Sequence, residues 1–212
     1  MAGSSVANAA SAHKLRYVDA PVTGLPAAAA DGALTLLVGA SAEDLESARP
    51  LLDAFSQRII HFGPVGSGTI YKLLINMIGA VQIASAAEGM ALAQSAGLDL
   101  NQVADAIAQG QAASPQVVRN VRRMAENNHD RDVVFTPALR LKDVEYALLL
   151  AQKLGVGSAF GELAAKLLRK LCERGAGRAN ESKIFEVVGS PSPQPSIESP
   201  HPNPLPLKGE RE

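Results

Sequence analysis

The chain has 212 residues, of which 47% are hydrophobic, a length that suits one substantial core or a small domain joined to a partner domain. With 20 basic against 21 acidic side chains the net charge is −1, which gives no electrostatic reason to expect a nucleic acid or an anionic membrane as partner. Aromatics are scarce and alanine is abundant, favouring helices packed through small side chains, and the single cysteine, Cys172, excludes an internal disulfide and suits a reducing, cytoplasmic compartment.

Residues 1–14 are small and polar, lack the apolar centre of a signal peptide, and are expected to form a poorly ordered leader. From Leu15 a short strand is predicted that breaks at Pro21 and ends in a Thr23-Gly24 turn. Strand ends of this kind in α/β sheets are where ligands sit, and Thr23 offers a hydroxyl while Gly24 offers an unobstructed amide, although a plain turn fits the same residues. Leu34-Thr-Leu-Leu-Val-Gly39 reads as a strand buried on both faces. Ser41, followed by Glu43, Asp44 and apolar residues at helical spacing, reads as the N-cap of a helix that ends near Phe55, and 59–62 as another strand. Strand, helix, strand over 15–65 is an α/β piece too small for a complete doubly wound sheet.

Glycines 63, 66 and 68 then open a long helical pattern whose first ionisable residue is Lys72. Glycine lets the backbone bend sharply and approach a ligand, and Asn76, four residues after Lys72, lies on the same helix face. An ammonium and an amide side by side can hold an oxygen-bearing substrate; equally, the glycines could cap a turn and Lys72 could be a solvated helix residue. Two phosphate motifs are excluded. A dinucleotide fingerprint requires a third glycine where Tyr71 stands, and a P-loop requires lysine where Thr69 stands.

The remainder is predicted to be helical: 69–96, stopping at Gly97; 101–108; 114–126, with Ser114 as N-cap and Pro115 at the first helical position; 137–154, ended by Gly155; and 160–173, ended by Gly175. The first is apolar enough to raise the question of a membrane span, but Asn76, Gln82 and Glu88 interrupt it and it reads as a buried helix. A short strand is expected near 184–188. Arg119, Arg122 and Arg123 share one helix face and read first as solvated, second as a phosphate contact. Lys142 and Asp143, adjacent in sequence, should point to different faces, so mutual charge pairing is not their expected purpose. The histidines at 13, 61, 129 and 201 have no metal-ligand spacing. Residues 189–212 hold seven of the thirteen prolines and are expected to be a disordered, adventitious tail.

Four separated features resemble one family. Asp19-Ala-Pro-Val-Thr-Gly24, Gly32-Ala-Leu-Thr-Leu-Leu-Val-Gly39, Gly66-x-Gly68-x-x-x-Lys72-x-x-x-Asn76, and Phe135 with Lys142-Asp143 are similar in order and spacing to the β-hydroxyacid dehydrogenases, the group of 3-hydroxyisobutyrate dehydrogenase and the glyoxylate or succinic semialdehyde reductases. The resemblance implies the closing strand-helix-strand part of a Rossmann-like sheet (15–65), joined by a long interdomain helix to an all-helical 6-phosphogluconate dehydrogenase-like domain (66–188). It implies Lys72 as catalytic general acid/base and Thr23, Gly24, Leu25 and Asn76 as substrate-binding residues. Gly68, Phe135 and Lys142 would be cofactor-binding, with NAD or NADP as cofactor. A small hydroxyacid or aldehyde is the implied substrate, and a homo-oligomer through the helical domain the implied assembly.

Hydroxyl oxidation needs loss of a hydride and of a proton, and a positioned amine can accept the proton if burial or a neighbouring cation lowers its pKa from near 10.4. An amide neighbour such as Asn76 adds no negative charge that would raise it. The family's substrate turn is Ser-Gly-Gly, so Thr23 and especially Leu25 depart from it and suggest altered substrate choice. The family's G-x-G-x-x-G is absent before Leu15, so a truncated, weakly active or inactive fragment is expected. A non-catalytic helical oligomerisation module is the alternative; an imine-reductase-like relative is a third reading, against which Lys72 argues, since those proteins usually lack it.

Overall fold

Strand-forming residues give way to helical periodicity near residue 66, and the structure, a computed structural model describing residues 2–188, divides at the same place. Its elements in order are α1 (Ala2–Ala12), β1 (Val22–Thr23), α2 (Leu25–Ala30), β2 (Leu34–Gly39), α3 (Ala42–Leu52), β3 (Ser56–Gly63), α4 (Ser67–Ser95), α5 (Leu100–Gln109), α6 (Pro115–Ala125), α7 (Pro137–Leu154), α8 (Ala159–Leu171) and α9 (Phe185–Val188), with a π turn at Cys172–Ala176 and a 3-10 turn at Glu181–Ile184. The 189–212 segment, expected to be a disordered tail, lies outside the described residues.

Three strands form one sheet in the order β1-β2-β3, with β1 antiparallel and β3 parallel to β2. The central strand is the most apolar and the most buried: Leu36, Leu37 and Val38 are at most 1% exposed. Leu45 of α3 packs with Leu36, Val38 and Ala40 into a small core of its own. Ser41 caps α3 as expected, its hydroxyl accepting from the Asp44 amide at 3.0 Å.

The larger core surrounds α4, which packs against α5, α6, α7, α8 and α9. Alanine and glycine on its inner faces let these helices approach closely, and Met90 and Ile83 fill the space between them. Burying each of those two contributes on the order of 1.5–3 kcal/mol. By length and composition α4 could cross a membrane, yet here it is the hub of a bundle. Ser114, Thr136 and Asp99 cap α6, α7 and α5 through side-chain acceptors, and α7 ends at Gly155 in the left-handed region, φ 68°, as its sequence predicts.

Four expectations require correction. Residues 2–12, expected as part of a poorly ordered leader, form helix α1, consistent with the helix propensity of an alanine-rich stretch. Of the strand expected from Leu15, residues 15–18 take no regular structure, and the rest is one isolated bridge between Asp19 and Gly39 and the two residues of β1, separated where Pro21 supplies no donor to the ladder. The strand expected near 184–188 is helical. Buried Ile184 and Val187 stand three apart, a helical spacing, and the Asn180 side chain caps the turn through the Ser182 amide. Finally, Arg119 and Arg123 are not simply solvated: Arg119 lies 3.8 Å from the buried Glu181, and Arg123 donates to the carbonyls of Asn128, Arg131 and Asp132.

Candidate active site

Helix α4 begins at Gly66, whose φ of 96° is left-handed and whose missing side chain cannot cap the helix. The cap comes from the sheet instead. Asp19, 5% exposed, accepts from the Thr69 amide at 2.9 Å and from its hydroxyl at 2.6 Å, placing a carboxylate on free amides at the positive end of the helix. The next glycine lets the helix lie directly on β2: a Cβ on Gly68 would stand 2.0 Å from the Leu37 carbonyl oxygen. Gly68, expected at the cofactor, thus has a packing role against the central strand. Sequence could have flagged Asp19 only through its place before Ala-Pro, since no local pattern joins it to Thr69.

Lys72 follows one turn into α4 and is half-buried. Its amine is held below the ordinary lysine range; burial is the main cause, opposed by the carboxylate of Asp143 and reinforced by the cations of Arg140 and Lys142. One turn further, Asn76 is 7% exposed and donates its Nδ2 to Asp143 Oδ2 at 2.7 Å. A carboxylate can only accept from that amide, which fixes the flip of the Asn76 side chain and leaves its carbonyl oxygen and the second N–H for a ligand or for Lys72.

Asn76 itself adds no charge beside Lys72, but α7 brings the carboxylate of Asp143 to act on it. The idea that Lys142 and Asp143 do not pair fails: Lys142 Nζ stands 3.1 Å from Asp143 Oδ1, its long flexible stem reaching around a helix face that the backbone directions alone would not join. Asp143 was missed as a site residue because its purpose is visible only when α7 lies against α4.

Phe135, in the loop before α7, packs its ring beneath the Arg140 guanidinium, 4.3 Å from the ring centroid. Arg140, 5% exposed, donates Nε to Glu181 Oε2 at 2.7 Å and Nη1 to the backbone carbonyl of Asn76 at 3.3 Å. Lys72, Asn76, Lys142, Asp143, Arg140 and Phe135 thus form one connected group on α4 and α7. Lys142 itself is 55% exposed at its side chain and stands at the solvent edge.

The Thr23 turn belongs to the other half of the molecule. Thr23 pairs with Thr35 on β2, Gly24 has φ 142°, and Leu25 is exposed with φ 66°. That conformation costs a non-glycine residue about 1–2 kcal/mol, which places Leu25 where a glycine would be unstrained. No hydrogen bond links Thr23, Gly24 or Leu25 to Lys72 or Asn76 among the described residues; Asp19, four residues before Thr23, makes the link between their elements. No group of three or more His, Cys, Asp or Glu side chains among the described residues is placed to hold a metal ion.

Two family models match: the one described as NAD-binding of NADP-dependent 3-hydroxyisobutyrate dehydrogenase over residues 66–188, and the NAD binding domain of 6-phosphogluconate dehydrogenase over residues 2–63. An NAD-dependent L-serine dehydrogenase of Pseudomonas aeruginosa is 35% identical over 182 residues, 82% of this chain and 60% of that protein. The mitochondrial 3-hydroxyisobutyrate dehydrogenase of Drosophila melanogaster is 31% identical over 183 residues, 84% of this chain and 56% of that protein. Among solved structures, the Mycobacterium tuberculosis 3-hydroxyisobutyrate dehydrogenase with L-serine has a TM-score of 0.78 at 28% identity, covering 88% of this chain and 65% of that one. The chain therefore spans a little over half the length of the curated relatives it matches.

Proposed function

The chain belongs to the β-hydroxyacid dehydrogenase family, the group of 3-hydroxyisobutyrate dehydrogenase, and from that premise we propose that it serves the interconversion of a small β-hydroxyacid and its semialdehyde or keto form, with Lys72 moving the proton. The observation that carries this is a half-buried lysine whose proton affinity is lowered by burial while Asn76 and Asp143 fix its surroundings. In the oxidising direction, neutral Lys72 Nζ accepts the hydroxyl proton; in the reducing direction its ammonium polarises the carbonyl and returns the proton. The Asn76 carbonyl oxygen accepts from the substrate hydroxyl or the lysine. Thr23 and the Gly24 amide receive the substrate's acid end, and Leu25 narrows that end, selecting against acids with bulk there.

NAD or NADP supplies the hydride acceptor when bound. The residues present fit one end of such a cofactor: Lys142 offers an exposed ammonium and Phe135 a flat apolar ring beside the site. They do not supply a phosphate cradle, since the sequence contains no G-x-G-x-x-G and Gly68 is committed to packing on β2. This chain by itself accordingly binds NAD(P) weakly and turns over slowly.

Two assays test the reading, with 3-hydroxyisobutyrate and L-serine as candidate substrates. Hydroxyacid-dependent reduction of NAD(P) should vanish in Lys72→Ala, and retention of the wild-type rate would sink the assignment. Fluorescence titration with NADPH should show weak binding, and micromolar affinity would contradict the missing cradle.

A second reading, an oligomerisation module in the cytoplasm, is favoured by a different observation. An apolar groove of about 500 Å³ runs between α4, α7 and the start of α8, and Leu74, Ile78, Leu154 and Phe160 along it are at least 45% exposed. A second copy covering this groove would make a homo-oligomer through the helical domain. Lys72→Ala separates the two readings, because assembly should survive it.

A further inference from the structure

The least expected feature of the helical domain is a buried ion pair directly behind the site. Arg140 is 5% and Glu181 1% exposed, and the pair meets at 2.7 Å. Burying two charges is costly unless their remaining polar atoms are engaged, and here each makes further contacts. The Glu181 backbone amide donates to the Phe135 carbonyl at 3.0 Å, so the same residue that binds the guanidinium also fixes the ring beneath it. Asn120 Nδ2 lies 3.4 Å and Arg119 3.8 Å from the other carboxylate oxygen. Arg140 extends past the pair to the backbone carbonyl of Asn76. Gly79, on the next turn of α4, leaves room for this arrangement: a Cβ there would lie 3.1 Å from Arg140 Nη1.

We propose that Arg140, held by Glu181, is a positioning residue of the Lys72 site: it fixes the Phe135 ring and the Asn76 turn of α4 relative to each other and places a permanent, buried cation against the turn of α4 that Lys72 opens. This rests on Lys72 being the proton-transfer group. Arginine suits the task because it stays charged across the working pH range and its planar fork can meet a carboxylate, a carbonyl and a ring face at once. A lysine in its place would keep the charge at neutral pH but not the fork that meets carboxylate, carbonyl and ring together, and a neutral residue would leave the Lys72 turn without a buried cation beside it.

Two arginines, Arg119 and Arg140, share one carboxylate, so the cluster keeps an excess positive charge. The charged groups that act on the Lys72 amine are Asp143, Arg140 and Lys142, all on α7. Of the cations, Lys142 is exposed and screened by solvent, which leaves Arg140 as the buried one. On the sheet side of α4, the carboxylate of Asp19 is occupied by Thr69.

The test reads the titration of Lys72 and needs no turnover, so an inactive chain leaves it intact and failure of the functional reading is seen separately in the Lys72→Ala assay. Lysine amines of the full chain are labelled as [13C]dimethyl groups, the Lys72 resonance is assigned with Lys72→Arg, and its midpoint is followed by NMR. Arg140→Met should raise the midpoint. Glu181→Gln keeps a hydrogen-bond acceptor for Arg140 and removes the opposing charge, and should not raise it. Should Arg140→Met not fold, Arg140→Lys retains the charge at neutral pH and must keep the midpoint below that of an exposed lysine. The proposal is overturned if Arg140→Met leaves the midpoint unmoved, if Glu181→Gln raises it, or if Arg140→Lys returns it to the exposed value. A rise in both Met and Gln variants would mean that the pair only fills space.

Discussion

Three glycines of α4 give a graded test of how closely that helix lies on its neighbours. At Gly68 an added Cβ would stand 2.0 Å from the Leu37 carbonyl oxygen and 3.1 Å from the Gly39 amide nitrogen, both backbone atoms of the central strand. Ordinary contact begins at 3.4 Å, so helix and strand would have to part by about 1.4 Å along a face where Leu36 and Val38 are fully buried. Inserting a methyl group into packed surroundings costs about 1–3 kcal/mol when side chains can yield, and with backbone on both sides Gly68→Ala should cost about 3 kcal/mol or more. At Gly79 the nearest atoms are the amide end of Gln116, at 2.7 and 2.8 Å and bonded to Gln82, and Arg140 Nη1 at 3.1 Å; these are side-chain ends that can yield in part, so Gly79→Ala should cost about 1–3 kcal/mol. Gly89 is exposed with nothing within 4 Å, and Gly89→Ala should stabilise by about 0.5–1 kcal/mol through helix propensity alone. Guanidinium unfolding followed by far-UV circular dichroism measures all three. If Gly68→Ala lies within 0.5 kcal/mol of the parent, a tolerance on the order of surface substitutions, the close seating of α4 on β2 is wrong.

Three further outcomes are expected. Lys72 is protonated more weakly in the folded than in the unfolded chain, so its buried charge burdens the fold at neutral pH and ceases to do so as pH rises toward the unfolded value of 10.5. Lys72→Met should therefore be more stable than the parent at pH 7, with the gap closing toward pH 10.5, and a gap that stays constant would show that burial is not the cause. His129, 2% exposed and bonded through Nδ1 to Ser182 Oγ at 2.8 Å, is held below its ordinary value of 6.5 chiefly by burial, so stability should fall as pH drops below 6.5, by up to about 1.4 kcal/mol per pH unit. Urea melts of His129→Gln should lose that acid slope; an unchanged slope would assign it to other groups. Leu25→Gly should gain about 0.5–1 kcal/mol, the relief of a left-handed leucine less the entropy of the added glycine, whereas a loss of stability would mean that the leucine side chain is held by contacts stronger than the strain.

The elements most readily read from sequence were those with local punctuation. Ser114-Pro115 opened α6, Gly155 closed α7, and the long apolar run of α4 ended at Gly97. The Lys72 and Asn76 relation was also legible, because four-residue spacing on a helix places two side chains on one face. What sequence did not disclose depended on residues far apart in the chain. Asp19 and Thr69 are 50 positions apart, Asn76 and Asp143 are 67, and Arg140 and Glu181 are 41. No periodicity connects such pairs, and Glu181 in particular stands just before the short apolar run, 184–188, that suggests a strand. Lys142 and Asp143 show the opposite limit: adjacent residues argued apart by backbone geometry are joined by side-chain length.

The carboxylate of Asp19 fastens the segment that leads into the Thr23 turn to the first turn of the helix that carries Lys72. Such a pin lies at one end of a 29-residue lever, so a small rocking of sheet against bundle would leave Thr69 nearly stationary and sweep the distal turns of α4 through a wider arc. A tilt about that fulcrum would carry the lysine little and Asn76, one turn farther along α4, more.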